Sequence, residues 1–197
     1  MLIVHHRRNS AALLAESPVQ YGIEIDVRTI GSRLIVQHDP YVDGEDLERW
    51  LAGYRHQLLI LNVKEEGLEE QLGQLMADNG IIDYFFLDQS FPFLVRTASN
   101  GERRCAVRVS EYESILTAMR LAPMIDWVWL DSFSGQLPDL SDLGTIAASH
   151  LRICLVSPEL QGRTEDVGQE AIHMRSTFAK AGLTIDAVCT KLPHLWQ

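Results

Sequence analysis

The sequence lacks several features that mark common protein classes. No apolar run reaches the ~18 residues needed to cross a bilayer, and His5-His6-Arg7-Arg8 stands where a secretory signal would continue its apolar core. Lys and Arg number 17 against 27 Asp and Glu, which gives a net charge of −10. Since general nucleic-acid binders neutralise phosphates with basic side chains, this balance argues against that class. We expect a cytoplasmic protein with no transmembrane segment and a small-molecule partner.

Cysteine is also scarce. The three cysteines, Cys105, Cys154 and Cys189, are odd in number, far apart and each set in an apolar run. This pattern predicts buried free thiols rather than disulfides or a zinc site. Within 197 residues, 46% of them hydrophobic, no linker or low-complexity tract divides the chain. We therefore predict a single domain over residues 1–197.

Short apolar runs alternate with helical patterns along the whole chain, and several runs are nearly continuous, as in strands covered on both faces. The predicted strands are 2–6, 22–27 with 34–38, 58–64, 84–87, 105–109, 127–131, 151–156 and 185–190. The predicted helices are 10–16, 44–52, 68–79, 111–121, 141–149 and 171–181. Eight strand-plus-helix units predict an α/β fold, a compact (β/α)8 TIM barrel. The competing doubly wound sheet lacks its Gly-x-Gly-x-x-Gly after the first strand.

The segment Gly22-Ile-Glu-Ile-Asp-Val-Arg28 carries the most informative pattern. Alternation on a strand places Glu24 and Asp26 together on one side. Two neighbouring carboxylates repel each other unless a cation lies between them, and a divalent ion with oxygen ligands is one solution. His38, which follows shortly after, adds acid or base chemistry. The alternative is a solvent-facing strand edge with a turn at His38-Asp39-Pro40.

Other polar residues close the predicted strands. In a barrel the carboxyl ends of the strands meet on the face that carries function, so these residues are the candidate site. In chain order they are His5, His6, Arg7, Glu24, Asp26, His38, Asn62, Lys64, Asp88, Arg108, Glu111, Asp131, Ser157, Glu159 and Lys191.

The order of these residues resembles the glycerophosphodiester phosphodiesterase family, and more loosely the phosphatidylinositol-specific phospholipase C-like barrels. The resemblance rests on His6-Arg7, Glu24-x-Asp26, His38-Asp39 and Lys64, with Asn9-Ser10 beginning the first helix. It covers about the first third of the chain through motifs and the remainder through architecture alone. The chain resembles a short, divergent member of that family.

The resemblance implies a metal-dependent phosphoric diester hydrolase of lipid metabolism. His6 and His38 would exchange protons, and Arg7 and Lys64 would hold the phosphate of a small phosphodiester substrate. Glu24 and Asp26 would ligate a divalent ion, magnesium or calcium or else manganese. Because the family's nucleophile is a neighbouring substrate hydroxyl, a cyclic phosphate is the expected intermediate or product.

The sequence departs from the family pattern at the third strand. Asn62 stands where the family has a glutamate ligand, and an asparagine oxygen binds a cation without adding negative charge. Asp88 or Glu65 could compensate. The loop after the first strand is shorter than in the family, and the family's insertion after the third strand is missing. The sequence therefore does not identify glycerophosphodiesters as the substrate.

Further along the chain the candidates are less specific. Arg108 could reach the phosphate, and Asp131, Glu159 and Lys191 could support the site or bind substrate hydroxyls. Glu111 could instead be the first-turn acid of a helix. Among the aromatic residues, Phe91 and Phe133 are the ones expected to touch a ligand.

Two other functions stay open at this point. The first is a catalytically degenerate barrel that binds a phosphate-bearing ligand, which Asn62 favours. The second is a barrel lyase or isomerase that uses Lys64 or Lys191 as a base or Schiff-base former.

Overall fold

The computed structural model describes residues 1–197, with every side chain except that of residue 140. It divides into two compact units. The first unit is His5–Cys105, and the second comprises Met1–Val4 with Ala106–Gln197. The single-domain organisation stays a prediction.

The first unit contains a sheet of five strands with helices between them. Its order is β4-β3-β2-β5-β6, antiparallel from β4 to β2 and parallel from β2 to β6. The elements are α1 (Ala11–Ala15), β2 (Gly22–Ile30), β3 (Arg33–Val36), β4 (Glu45–Asp46), α2 (Leu47–Leu51), β5 (Leu59–Val63), α3 (Glu69–Asp78), β6 (Tyr84–Leu87) and α4 (Phe91–Ser99).

Strand β2 is longer than predicted and forms a β-hairpin with β3. It runs to Ile30 and pairs antiparallel with β3, so that Val27 lies opposite Val36 and Ile30 opposite Arg33. Gly31 makes the connection with a φ of 62°, a left-handed conformation that glycine adopts without steric cost. Residues 22–27 are buried throughout, as expected for a strand covered on both faces.

The second unit contains the other parallel strands. Strand β1 (Leu2–His5) lies beside β10, and the order continues β10-β9-β8-β7. The elements are β7 (Ala106–Val109), α5 (Ile115–Leu121), β8 (Trp127–Leu130), α6 (Leu140–Ala147), β9 (Arg152–Val156), a 3-10 turn (Pro158–Gln161), α7 (Val167–Lys180), β10 (Ala187–Thr190) and a second 3-10 turn (Pro193–Leu195).

The predicted helices differ from the observed ones mainly at their starts. The segment 44–52 begins with the short strand β4, and the segment 111–121 begins only at Ile115. A turn replaces its first residues because Ser110 donates its hydroxyl to Glu113 at 2.6 Å, and Ser114 caps the helix. Helix α4 was not predicted, although Ser90 followed by Pro92 is a recognisable helix start.

The structure bears on the expectations about the cysteines and about membrane-spanning segments. All three cysteines are buried thiols that form no disulfide, as predicted. Among the described residues, none of the helices has the length and apolar character needed to span a bilayer. The cytoplasmic location stays a prediction.

Candidate active site

The centre of the site is the pair Glu24 and Asp26 on β2, in the first unit. Both are fully buried. Parallel pairing with β5 places Asp26 beside Asn62 and Glu24 beside Ile60. Lys64 follows two positions after Asn62, at the end of the same strand. Alternation along two adjacent strands therefore collects two acids, an amide and an ammonium group.

Glu24 accepts hydrogen bonds on both carboxylate oxygens. The Arg7 backbone N–H donates to Oε2 at 2.7 Å, and the Asn62 side-chain amide donates to Oε1 at 3.0 Å. His6 Nε2 lies 3.8 Å from Oε2. Burial, together with the negative charge of Asp26, raises the pKa of Glu24 to about 7, despite these hydrogen bonds and the nearby Lys64. The carboxyl is therefore partly protonated near neutral pH.

Asp26 is held by Asn9 and by two cations. Asn9 Nδ2 donates to Asp26 Oδ2 at 2.7 Å, and the Asp26 backbone N–H donates to Asn9 Oδ1 at 3.0 Å. Arg7 Nε lies 3.5 Å from Oδ2 and Lys64 Nζ lies 3.2 Å from Oδ1. Lys64 also pairs with Asp88 at 3.5 Å. These cations offset the charge of an acid that has no contact with solvent.

The turn after β1 presents both parts of Arg7 to the acids. Arg7 adopts a φ of 50°, which is unusual for a residue with a side chain. In this conformation its backbone N–H reaches Glu24 while its guanidinium reaches Asp26. A left-handed non-glycine residue costs about 1–2 kcal/mol, and the charge-assisted hydrogen bond to Glu24 offsets this cost.

His38 lies on the turn after β3, at the edge of the site. Its Nδ1 bonds Asp39 Oδ1 at 2.8 Å, and 40% of its side chain is exposed. The Gln37 backbone N–H donates to the Asp26 carbonyl at 2.9 Å, which brings the start of this turn beside the acids. The predicted pair of histidines is thus divided, with His6 against Glu24 and His38 at the rim.

Asn62 bears on whether a metal fits the site. Its Oδ1 is a buried acceptor with no hydrogen-bond partner among the described residues, while its Nδ2 bonds Glu24 and its backbone lies opposite Asp26 in the sheet. Carboxylate and amide oxygens are the donors that Mg²⁺ and Ca²⁺ prefer. The Glu24 pKa is raised first by burial and then by repulsion from Asp26, and a cation would relieve that repulsion. The donor set fits such an ion, with one negative charge fewer than three carboxylates provide.

The two acids suggested as compensation each contact another side chain. Asp88 contacts Lys64, and Glu65 accepts hydrogen bonds from the backbone and hydroxyl of Thr29, at 3.2 and 2.6 Å. Among the described residues, no three His, Cys, Asp or Glu side chains are grouped so as to hold a metal ion. Any metal would therefore depend on the Asn62 oxygen.

The remaining candidates lie in the second unit. Arg108 donates to Asp131 Oδ2 at 2.7 Å, and Gln161 donates to Asp131 Oδ1 at 2.6 Å. Burial raises the pKa of Asp131, more than Arg108 and the hydrogen bonds lower it. Phe133 is 40% exposed and lies against Arg108, with the guanidinium 5.8 Å from the ring centre.

Glu111 and Glu159 make structural contacts. Glu111 accepts hydrogen bonds from the backbones of Phe133 and Ser134 and so fixes the loop after β8. Glu159 accepts from the Thr190 hydroxyl at 2.6 Å and from the Lys191 backbone N–H at 2.8 Å, and so joins β9 to β10. The Lys191 side chain is exposed.

Comparison with solved structures identifies the fold. A glycerophosphodiester phosphodiesterase from Agrobacterium tumefaciens superposes with a TM-score of 0.71 at 14% identity, covering 100% of this chain and 97% of its own. A glycerophosphoryl diester phosphodiesterase from Parabacteroides distasonis gives a TM-score of 0.61 at 15% identity, covering 96% and 82%. The chain shares their fold. This confirms the predicted TIM-barrel class and bears out the resemblance at the level of structure.

Comparisons based on sequence alone find no match. No protein-family model matches the chain. A search of curated proteins also finds no significant match. The similarity that these comparisons find therefore lies in the fold.

Proposed function

We propose that this protein is a phosphodiester hydrolase whose active site is built on Glu24 and Asp26. The observation that carries the proposal is the placement of His6, Arg7 and Lys64 around this buried acid pair. A site of this kind offers cations for a phosphate and a histidine for proton transfer within one polar cluster. The solved structures that share this fold include glycerophosphodiester phosphodiesterases, which supports the same reaction class.

The reaction would use the protein's own groups as follows. Arg7 and Lys64 bind the non-bridging oxygens of the phosphodiester and offset charge that builds up there. One histidine takes the proton from a substrate hydroxyl beside the phosphate, and that oxygen attacks phosphorus to close a cyclic phosphate. The other histidine gives its proton to the departing alkoxide. Water then attacks the cyclic phosphate and opens it to the phosphomonoester, with the two histidines in exchanged roles. Asp39 orients His38 through Nδ1, leaving Nε2 for the proton transfer.

A divalent ion fits this proposal at the oxygens of Glu24, Asp26 and Asn62. Such an ion would supply positive charge to the phosphate oxygens in the transition state. Magnesium, calcium and manganese are the candidates. Metal dependence can be measured apart from turnover by titration calorimetry with each ion.

The test is cleavage of a broad phosphodiester panel by purified protein with each metal and with EDTA. His6→Ala and His38→Ala should each lower kcat/KM by about 10²–10⁴-fold, the usual contribution of acid–base catalysis. His173→Ala, at an exposed position on α7, is the matched control and should leave activity unchanged. If the wild-type protein cleaves no member of the panel, the proposal is wrong.

A second candidate function is binding of a phosphate-bearing ligand without turnover. It is favoured by the Asn62 amide, which donates to Glu24 where a third carboxylate would strengthen a metal site. Asn62→Glu separates the two. A large gain in metal affinity together with new activity would mean that the natural protein is a binding form. Loss of activity would mean that Asn62 belongs to a working site.

A further inference from the structure

Arg28 lies above the acid pair on the same strand. Glu24, Asp26 and Arg28 occupy alternate positions of β2, so their side chains leave the same face of the strand. The Arg28 side chain is only 16% exposed. Strand β2 is flanked at this level by β3 on one side and β5 on the other, and each of these strands leads into a turn that carries a candidate site residue.

The guanidinium of Arg28 connects these two turns. Its Nε donates to the backbone carbonyl of His38 at 2.9 Å, and its Nη1 donates to the backbone carbonyl of Lys64 at 3.4 Å. Nη1 also lies 3.8 Å from Glu65, which Thr29 holds in place through two hydrogen bonds. One side chain thus fixes the backbone on both sides of the acid pair.

We infer that Arg28 is the positioning residue that sets His38 and Lys64 in register with each other. This inference rests on the proposed function, in which one of these residues transfers a proton and the other binds phosphate. Arginine suits the task because its planar fork donates in several fixed directions at once. Lysine, with a single ammonium on a flexible stem, can serve one carbonyl but cannot bridge the two turns in the same way.

The test compares Arg28→Ala, Arg28→Lys and the control Arg33→Ala. Arg33 is an arginine of the same hairpin, but it is 44% exposed and pairs only with Asp43. Because misplacement of a catalytic group by about 1 Å costs about 10²-fold in rate, Arg28→Ala should lower kcat by about 10- to 100-fold through His38. It should also raise KM, because the phosphate-binding Lys64 is released together with His38. Arg28→Lys should recover part of kcat, and Arg33→Ala should stay within about twofold of wild type.

Hydrogen exchange supplies a readout that does not need turnover. In Arg28→Ala the amides of residues 38, 39 and 64–66 should exchange at least about tenfold faster, while in Arg33→Ala the same amides should match wild type. If wild-type protein is inactive on every phosphodiester, the proposed function fails and exchange alone decides the role of Arg28. Unchanged exchange in both segments, or equal loss of kcat in Arg28→Ala and Arg33→Ala, would overturn the inference.

Discussion

The buried carboxyl of Glu24 makes the stability of this protein depend on pH. Burial and the charge of Asp26 raise its pKa from 4.5 to about 7. Between these values the folded protein binds more protons than the unfolded chain does, so the free energy of unfolding falls as the pH rises. At 1.36 kcal/mol for each unit of pKa, the full shift corresponds to about 3 kcal/mol. This contribution of Glu24 to the free energy of unfolding is fully present below pH 4.5, and it is lost as the pH rises through about 7.

Urea unfolding of wild type and Glu24→Gln from pH 4.5 to 8, in EDTA, measures this effect. Glutamine keeps an acceptor for the Arg7 backbone N–H but cannot ionise. The variant should therefore gain about 3 kcal/mol relative to wild type across the range. Glu66→Gln, which removes an exposed carboxylate of the same unit, controls for the lost charge.

The same experiment with a divalent cation examines the metal proposal. An ion bound to the ionised acid pair would stabilise wild type above pH 7 by an amount that grows with its concentration. Glu24→Gln should show a much smaller gain because one charged ligand is missing. Parallel curves for wild type and Glu24→Gln in EDTA would refute the reasoning about the Glu24 carboxyl.

Two further predictions concern the hydrogen bonds made by the side chains of Asn9 and Glu159. Asn9→Ala removes both hydrogen bonds to Asp26 and should lower the free energy of unfolding by about 2–3 kcal/mol, as measured by urea unfolding with Asn100→Ala as an exposed control. Glu159→Ala leaves the Thr190 hydroxyl and the Lys191 backbone N–H without their acceptor and should cost about 2 kcal/mol, with a native circular dichroism spectrum before unfolding. An unchanged unfolding midpoint in either variant would contradict the role given to that residue.

The central part of the site was predictable because it depends on strand periodicity. Alternation places Glu24 and Asp26 on one face, and parallel pairing with the next strand brings Asn62 and Lys64 beside them. Both relations can be derived from the positions of apolar runs. The structure brings these residues together as expected, with His6 at 3.8 Å from Glu24.

The contacts that hold the site depend on turns, and periodicity does not describe turns. Arg28 reaches two backbone carbonyls only because the turns after β3 and β5 approach β2 at the same level. The sequence offers Glu65 as a further metal ligand, but in the structure Glu65 accepts a hydrogen bond from the Thr29 hydroxyl. The signal for Arg28 was its position two residues after Asp26, on the polar face of the strand. The position of Arg28 alone does not predict its two hydrogen bonds, because they depend on where both turns lie.

The orientation of the Asn62 side-chain amide distinguishes the two candidate functions. In this structure its amide group donates to Glu24, an arrangement that stabilises the ionised carboxylate without a metal. Rotating the amide would turn the oxygen towards Glu24, where two partly negative oxygens repel each other unless a cation lies between them. An ionised glutamate at this position could not donate in either orientation. An asparagine therefore allows the acid pair to remain folded in the absence of a cation, which a third buried carboxylate would make much more costly.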